Sequence, residues 1–322
     1  MMSQTSALDR ESARPYAFDW RPRGAIVRPD AGLWWMSGGL GAFCALPQGD
    51  DTLRLFVTGR DNTVRSRIGV VTLRWRERPS VQEISPQPIL DLGDLGNFDM
   101  DGVSYPWIVE NGSELWMYYV GWNRLGGEIP FRVQVGLAVS RNGGSSFERV
   151  TRAPLLPLTN EEPTGSGSVW VERATTGWRM FYTNFLRWER RPDGPRHFYH
   201  IREAYSADGI NWDRPGRTVI DLIAPDEYAL CAPDVHDMNG HRTLYFTARG
   251  DRYRLFAARQ AADGQWRRTP HGLNIPRSDF DSEMQCYSRM VVIGGKHNLL
   301  FSGNGYGRAG IGYAELASEG AP

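Results

Sequence analysis

The sequence has 322 residues, 41% hydrophobic and 23% charged, an ordinary globular composition long enough to bury a large core without covalent staples. Lys+Arg and Asp+Glu both number 37, so the zero formal charge gives no electrostatic ground for a nucleic-acid or anionic-membrane partner. Three cysteines, Cys44, Cys231 and Cys286, are too few and too scattered for a disulfide framework or a metal knuckle, and they read as buried small apolar residues.

The chain opens on MMSQTSALDRESARPY, which lacks the apolar core segment of a secretory signal. No run approaches the ~20 apolar residues of a membrane span. The expectation is a cytoplasmic protein, with residues 1–25 as an N-terminal extension and 26–318 as one domain.

Helical spacing is weak, and short runs rich in Val, Ile, Tyr, Trp and Phe between Gly and Pro read as strands. One strand type recurs as Ile68-Gly-Val-Val-Thr-Leu73, Val135-Gly-Leu-Ala-Val-Ser140, Ile201-Arg-Glu-Ala-Tyr-Ser206, Leu255-Phe-Ala-Ala-Arg-Gln260 and Ile311-Gly-Tyr-Ala-Glu-Leu316, a spacing of 54–67 residues. Each copy follows a second strand: Leu53–Thr58, Leu115–Val120, Trp178–Thr183, Thr243–Thr247 and Asn298–Ser302. Third runs, Val103–Val109, Ser168–Val171, Ala232–Val235 and Arg289–Ile293, lead into tight turns such as Asn111-Gly112, Met238-Asn239-Gly240 and Gly294-Gly295, which supply positive φ. Outer strands follow turns at Asn142-Gly143-Gly144, Asp208-Gly209 and Asp263-Gly264, near Phe147, Trp212 and Trp266. Such in-phase repetition predicts an all-β, five-bladed β-propeller, with four-stranded antiparallel blades around a central channel.

Several motifs carry a family likeness. Gly96-Asn-Phe-Asp-Met-Asp-Gly-Val103, Tyr118-Tyr-Val-Gly-Trp122, Ser206-Ala-Asp-Gly-Ile-Asn-Trp212, Asp281-Ser-Glu-Met284 and Asn304-Gly-Tyr-Gly307 resemble the five-bladed propellers of glycoside hydrolase families 43 and 32. The closest resemblance is to a hydrolase-like branch found beside sugar-biosynthesis genes. Those families carry a catalytic aspartate on the innermost strand of the first blade. Here that stretch, Ser37–Phe43, has no carboxylate.

In a propeller the innermost strands line the channel, and two rows of residues are expected at its mouth. The carboxylate row holds Asp99, Asp101, Glu161, Glu162, Asp234, Asp279, Asp281 and Glu283, with His236; the row after the second strands holds Arg60, Asp61, Trp122, Asn123, Asn184, Arg249 and Asn304. Carboxylates and amides bond hydroxyls, tryptophan stacks on a sugar face, and arginine anchors a carboxylate or phosphate. Glycoside chemistry needs two carboxyl groups, one ionised and one protonated. Asp101 is expected as base or nucleophile with Asp99 competing, and Glu283 or Glu162 as the acid. Asp281 would face the same side of an extended segment as Glu283 and raise its pKa. Substrate binding is assigned to Arg60, Asp61, Trp122, Asn184, Asp234, Arg249, Asp281 and Asn304.

Structural roles stand beside these. Asp99 and Asp101 also suit turn caps, Glu161-Glu162 a solvated loop, Arg60 and Arg249 ties between blades, and His236 a core histidine. Trp34 and Trp35 fit either a sugar platform or the ring closure. No motif calls for a cofactor or metal.

Three readings follow. One is a glycosidase-like enzyme acting on a glycosidic or related acetal bond of a small-molecule or oligosaccharide substrate. Another is a non-hydrolytic enzyme of specialised metabolism, catalysing cyclisation, elimination or isomerisation. The last is a sugar-binding module without catalysis.

Overall fold

The computed structural model describes residues 19–238 and 240–318. Residues 1–18 of the expected extension, and Asn239 of the expected turn, lie outside the described residues. The chain is nearly all β. Among the described residues the helical content is one turn, Asn304–Gly307, and no helix is long and apolar enough to cross a membrane.

Among the described residues the strands form one four-stranded and two eight-stranded sheets. Each larger sheet is two four-stranded antiparallel groups joined by one parallel pair, Ser66 with Gly102 and Tyr199 with Ala229. The first group is β2 (Gly39–Pro47), β3 (Thr52–Arg60), β4 (Ser66–Arg74) and β5 (Ser80–Ile84). The second is β6 (Gly102–Asn111), β7 (Glu114–Arg124), β8 (Phe131–Ser140) and β9 (Glu148–Arg149). The third is β10 (Ser166–Ala174), β11 (Gly177–Glu189), β12 (Arg196–Ser206) and β13 (Thr218–Ile220). The fourth is β14 (Ala229–Met238), β15 (His241–Arg249), β16 (Tyr253–Gln260) and β17 (Trp266–Arg268). In the fifth, β18 (Cys286–Ile293), β19 (Lys296–Ser302) and β20 (Ile311–Ser318) take their fourth strand from the start of the chain, β1 (Asp19–Val27). Residues 19–25 of the expected extension therefore lie in a sheet.

The first strands of the groups touch in cyclic order, β2 to β6, β10, β14, β18 and back to β2. A side-chain hydroxyl bridges each joint. Thr58 Oγ1 accepts from Tyr105 N at 3.1 Å, Ser166 Oγ from Val135 N at 3.3 Å, Ser168 Oγ from Ala232 N at 2.8 Å and Thr247 Oγ1 from Tyr287 N at 2.8 Å. Ser302 Oγ closes the circuit by donating to Gly41 O at 2.9 Å. Buried backbone groups need partners, and these hydroxyls supply them where a bulge interrupts the ladder or two groups meet.

The repeated third-strand glycine also has a packing cause. An aromatic ring ahead of the group's first strand lies flat on its second and third strands. A Cβ on Gly59 or Gly69 would stand 2.4 or 2.3 Å from the Trp35 ring, and one on Gly121 or Gly136 2.5 or 2.6 Å from Phe98. Phe280 covers Gly303 and Gly312 in the same way. Trp35 is thus core of the first group, whereas Trp34 is exposed beneath the Arg67 guanidinium.

Candidate functional site

Every first strand carries a register shift at the same place: Leu40/Phe43, Ser104/Trp107, Ser166/Val169, Cys231/Asp234 and Cys286/Arg289. Tyr105, Ala232 and Tyr287 adopt left-handed φ of 51°, 53° and 58° at these bulges. A bulge re-aims the neighbouring side chain, and here Ala42, Tyr105, Ser168, Cys231 and Tyr287 turn toward the axis to line one cavity of about 320 Å³. Tyr105 and Tyr287, from groups that are not neighbours, meet edge to face with centroids 5.1 Å apart. The Tyr199 and Tyr253 hydroxyls lie 3.0 Å apart. Burial raises all four phenols well above their ordinary value, so they stay neutral.

Beneath this floor the axis is plugged. Buried Arg289 donates to the carbonyls of Phe43 at 3.0 Å, Ala232 at 3.3 Å, Pro233 at 3.2 Å and Ser288 at 3.1 Å, and its guanidinium sits 5.1 Å from the Trp107 ring. One side chain ties strands from three groups and contacts a fourth.

Trp122, Phe131, Phe185 and Tyr306 supply aromatic faces to the cavity wall, interspersed with the hydroxyls of Thr58, Ser66, Ser104 and Thr183. Among the described residues its charged lining is Asp101 with Arg60, Arg124 and Arg249. Asp101 Oδ2 accepts from Arg124 N at 2.9 Å, and Oδ1 lies 3.8 Å from Arg65. His197 also lines it, stacked on Tyr199 (5.2 Å, 7°) and Phe185 (5.8 Å, 27°). Burial, reinforced by the Arg249 charge, lowers His197 to about 4, so the imidazole is neutral. Burial pushes the Cys231 thiol up to about 12, which leaves almost no thiolate near neutrality.

The predicted site residues separate into three sets. Asp101, Arg60, Trp122 and Arg249 meet in the cavity, with Asn123 beside them. Arg60 Nη1 also donates to Leu40 O at 2.6 Å and Tyr306 O at 3.1 Å, so its structural and lining roles coincide. Glu283 is exposed in an adjoining groove of about 510 Å³, which shares Arg249, Tyr253 and Tyr306 with the cavity. Asn304 shapes that groove. Its Oδ1 accepts from Glu283 N at 2.8 Å and Met284 N at 3.2 Å, while Nδ2 donates to Asp279 O at 3.0 Å.

The remaining set is buried away from the cavity lining. Asp99 is paired with Arg149 at 2.7 Å and accepts from Tyr119 Oη at 2.9 Å. Glu162 is paired with Arg214 at 2.8 Å and Arg202 at 3.0 Å, and accepts from Tyr182 Oη at 2.6 Å. Glu227, which precedes β14 in the corresponding place, pairs with Arg268 in β17 at 2.6 Å. These are three copies of one latch, tying the loop before a first strand to the outer side of the same group. Asp61 sits under Thr63, Arg65 N and Arg67; although burial opposes its charge, these donors hold it below the usual carboxylate range. Against the same burial, His236, Arg289 and Met290 N hold Asp234 low. Asn184 is buried against β10, and its Nδ2 has no hydrogen-bond partner among the described residues.

The segment carrying Asp281 and Glu283 is a turn and not a strand, so alternation does not apply there. Asp281 points inward, accepting from Ser278 N at 2.6 Å and Gln285 Nε2 at 2.7 Å, while Glu283 faces solvent. Sequence reasoning missed His197, Arg124 and the tyrosine floor. Among the described residues no group of three or more His, Cys, Asp or Glu could hold a metal ion.

No family model matches the chain. The uncharacterized protein Rv1502 of Mycobacterium tuberculosis is 34% identical over 303 residues, covering 92% of this chain and 99% of that protein. This protein belongs to the Rv1502 family. Among solved structures, the complex of BT0996 with RGII matches with a TM-score of 0.71 at 17% identity, over 94% of this chain and 93% of that one. A thermostable family-43 glycoside hydrolase gives 0.62 at 14% identity, covering 86% and 88%. The Bombyx mori family-32 β-fructofuranosidase BmSUC1 gives 0.60 at 13% identity, covering 94% and 61%. Likeness at these identities carries the fold, a β-propeller of the glycoside hydrolase kind, and not the chemistry.

Proposed function

We propose that this chain is a carbohydrate-active β-propeller of five blades in one domain, with β1 completing the fifth blade. Its axial cavity takes an anionic, sugar-containing small molecule and acts on it with a single carboxylate, in an isomerisation, cyclisation or elimination. The cyclic contacts of the first strands and the hydroxyl bridges at all five joints support the ring. The glycoside hydrolase neighbours support a carbohydrate ligand.

The observation that carries the reaction class is the charge of the cavity lining: one carboxylate, Asp101, against three arginines among the described residues. Glycoside hydrolysis needs two carboxyl groups flanking the bond. A lone carboxylate instead moves one proton within a substrate that the arginines orient and the aromatic walls shield from water. The neutral tyrosine hydroxyls on the floor are available to bond substrate oxygens. The deciding experiment is turnover of a panel of uronic-acid glycosides and sugar phosphates in heavy-oxygen water. Products whose masses, together with any water, alcohol or phosphate expelled, sum to that of the substrate are expected; cleavage with net addition of one heavy-oxygen water overturns the reading.

Hydrolysis remains a second reading because of one feature. Glu283 lies in the groove that shares Arg249, Tyr253 and Tyr306 with the cavity, so a long substrate crossing that seam would meet a second carboxyl group.

A further inference from the structure

Arg249 differs from other inward and cavity-lining arginines among the described residues. Arg67, Arg149, Arg179, Arg202, Arg214 and Arg268 each pair with a carboxylate, and Arg289, Arg60 and Arg124 give donors to main-chain carbonyls. Arg249 has no carboxylate partner among the described residues. Its Nη2 donates to the Tyr306 hydroxyl at 3.1 Å, and its guanidinium lies 5.2, 5.0 and 5.7 Å from the ring centroids of Tyr228, Tyr253 and Tyr306. A guanidinium carries five N–H donors in a fixed fork, so most of this fork is open to the two cavities it borders.

Its position is also held firmly. The Tyr306 carbonyl accepts from Arg60 while its hydroxyl accepts from Arg249, and Tyr306 itself is in the left-handed region at φ 59° after Gly305 at 64°. A bulky residue there is uncommon and persists where surrounding contacts determine it. The result is a charged fork at the seam of two unlike spaces. On one side is the aromatic cavity; on the other is a polar groove lined by Asp251, Arg252, Ser282 and Glu283.

We propose that Arg249 binds an acidic oxygen group of the ligand, phosphate or carboxylate, at this seam, with the ligand's ring in the aromatic cavity and its polar remainder in the Glu283 groove. The inference rests on the reading that the cavity takes a sugar-containing molecule. Two oxygens of a carboxylate or of a phosphate match the guanidinium fork through paired charge-assisted hydrogen bonds, and the flanking aromatic rings exclude competing water.

The test uses phenyl glucoside, phenyl glucuronide and phenyl glucoside phosphate, titrated calorimetrically into the wild-type chain and into Arg249→Gln and Arg124→Gln variants. At least one anionic probe is expected to bind about tenfold or more tighter than the neutral one. Arg249→Gln is expected to remove that preference while changing the neutral probe's affinity by less than about threefold. Preference for the phosphate over the glucuronide identifies a phosphate group, and the reverse a carboxylate. If the preference survives Arg249→Gln and falls in Arg124→Gln, this inference alone is overturned; if all three probes bind equally, it is overturned together with the anionic part of the reading, the sugar-binding part standing. Failure of every probe to bind overturns it together with the reading beneath it. Should Arg249→Gln not fold, Arg249→Lys carries the test: losing the fork lowers the anionic preference about threefold or more, and an unchanged preference overturns the proposal.

Discussion

Arg149 Nε donates to the Asp99 carboxylate at 2.7 Å, joining the loop before β6 to the outer strand β9 of the same group. The Asp99 side chain is 0% exposed and that of Arg149 21%, so removing either charge strands the other with little water to solvate it. Breaking a buried pair from one side costs about 3–5 kcal/mol. Asp99→Asn is therefore expected to lower the free energy of unfolding by about 3 kcal/mol, with ligand affinity of the folded protein retained. The Asp99→Asn/Arg149→Met double variant should recover part of the loss, because the two sites are coupled. Urea unfolding of the set decides it; full stability with lost binding would return Asp99 to the functional site.

The glycines beneath Trp35 give an independent check on the packing. A Cβ on Gly69 would stand 2.3 Å from the Trp35 ring, whereas one on Gly126 meets nothing within 4 Å. Trp35 is fully buried in the core of the first group and has no room to retreat. Gly69→Ala is expected to cost about 3 kcal/mol, and Gly126→Ala to stay within about 0.5 kcal/mol. Equal midpoints in urea for the two variants would contradict the ring-on-glycine arrangement.

The same residues explain what could be read from the sequence. Gly69, Gly136 and Gly312 recur because a ring must lie on the third strand, and the turn glycines recur because those positions need positive φ, so the repeat was visible residue by residue. The site was harder. An acidic residue before a first strand looks the same whether it faces the axis, as Asp101 does, or turns to an arginine 50 positions away, as Asp99 does. Glu162 was misplaced for that reason, its partners lying 40 and 52 positions on. His197 carried no motif. Its one signal was the aromatic density of the β11–β12 arm, where Phe185, Trp188 and Tyr199 surround it.

His197 makes stability depend on pH in a window that carboxylates leave largely alone. Burial and the Arg249 charge lower it to about 4 in the folded protein, against an ordinary value of 6.5. Between these values the unfolded state binds a proton that the folded state does not. The stabilisation is therefore complete above the ordinary value and is lost as pH falls toward the folded one. At about pH 5 the loss is roughly 2 kcal/mol. His200, lowered mainly by burial, contributes with the same sign. His197→Phe is expected to keep the aromatic stack and shrink the stability difference between about pH 7 and about pH 5 to the remainder owed to His200. An undiminished difference would mean that His197 is solvated in the folded state.

The last expectation separates one working carboxylate from two. Asp101 meets the cavity beside Arg124 and Trp122, while Glu283 reaches only the groove beyond Arg249 and Tyr306. If Asp101 alone moves the proton, Asp101→Asn lowers kcat on a confirmed substrate about hundredfold or more. It leaves stability within about 1 kcal/mol, because the amide oxygen still accepts from Arg124 N. Glu283→Gln should then change KM more than kcat, since that carboxylate bonds the ligand's remote part without entering the proton transfer. Comparable falls in kcat for both variants require the second carboxyl group as acid. Substrate would then have to lie across Tyr306 with the scissile bond at the seam, and the neutral walls of the cavity would hold a leaving group and not the reacting centre.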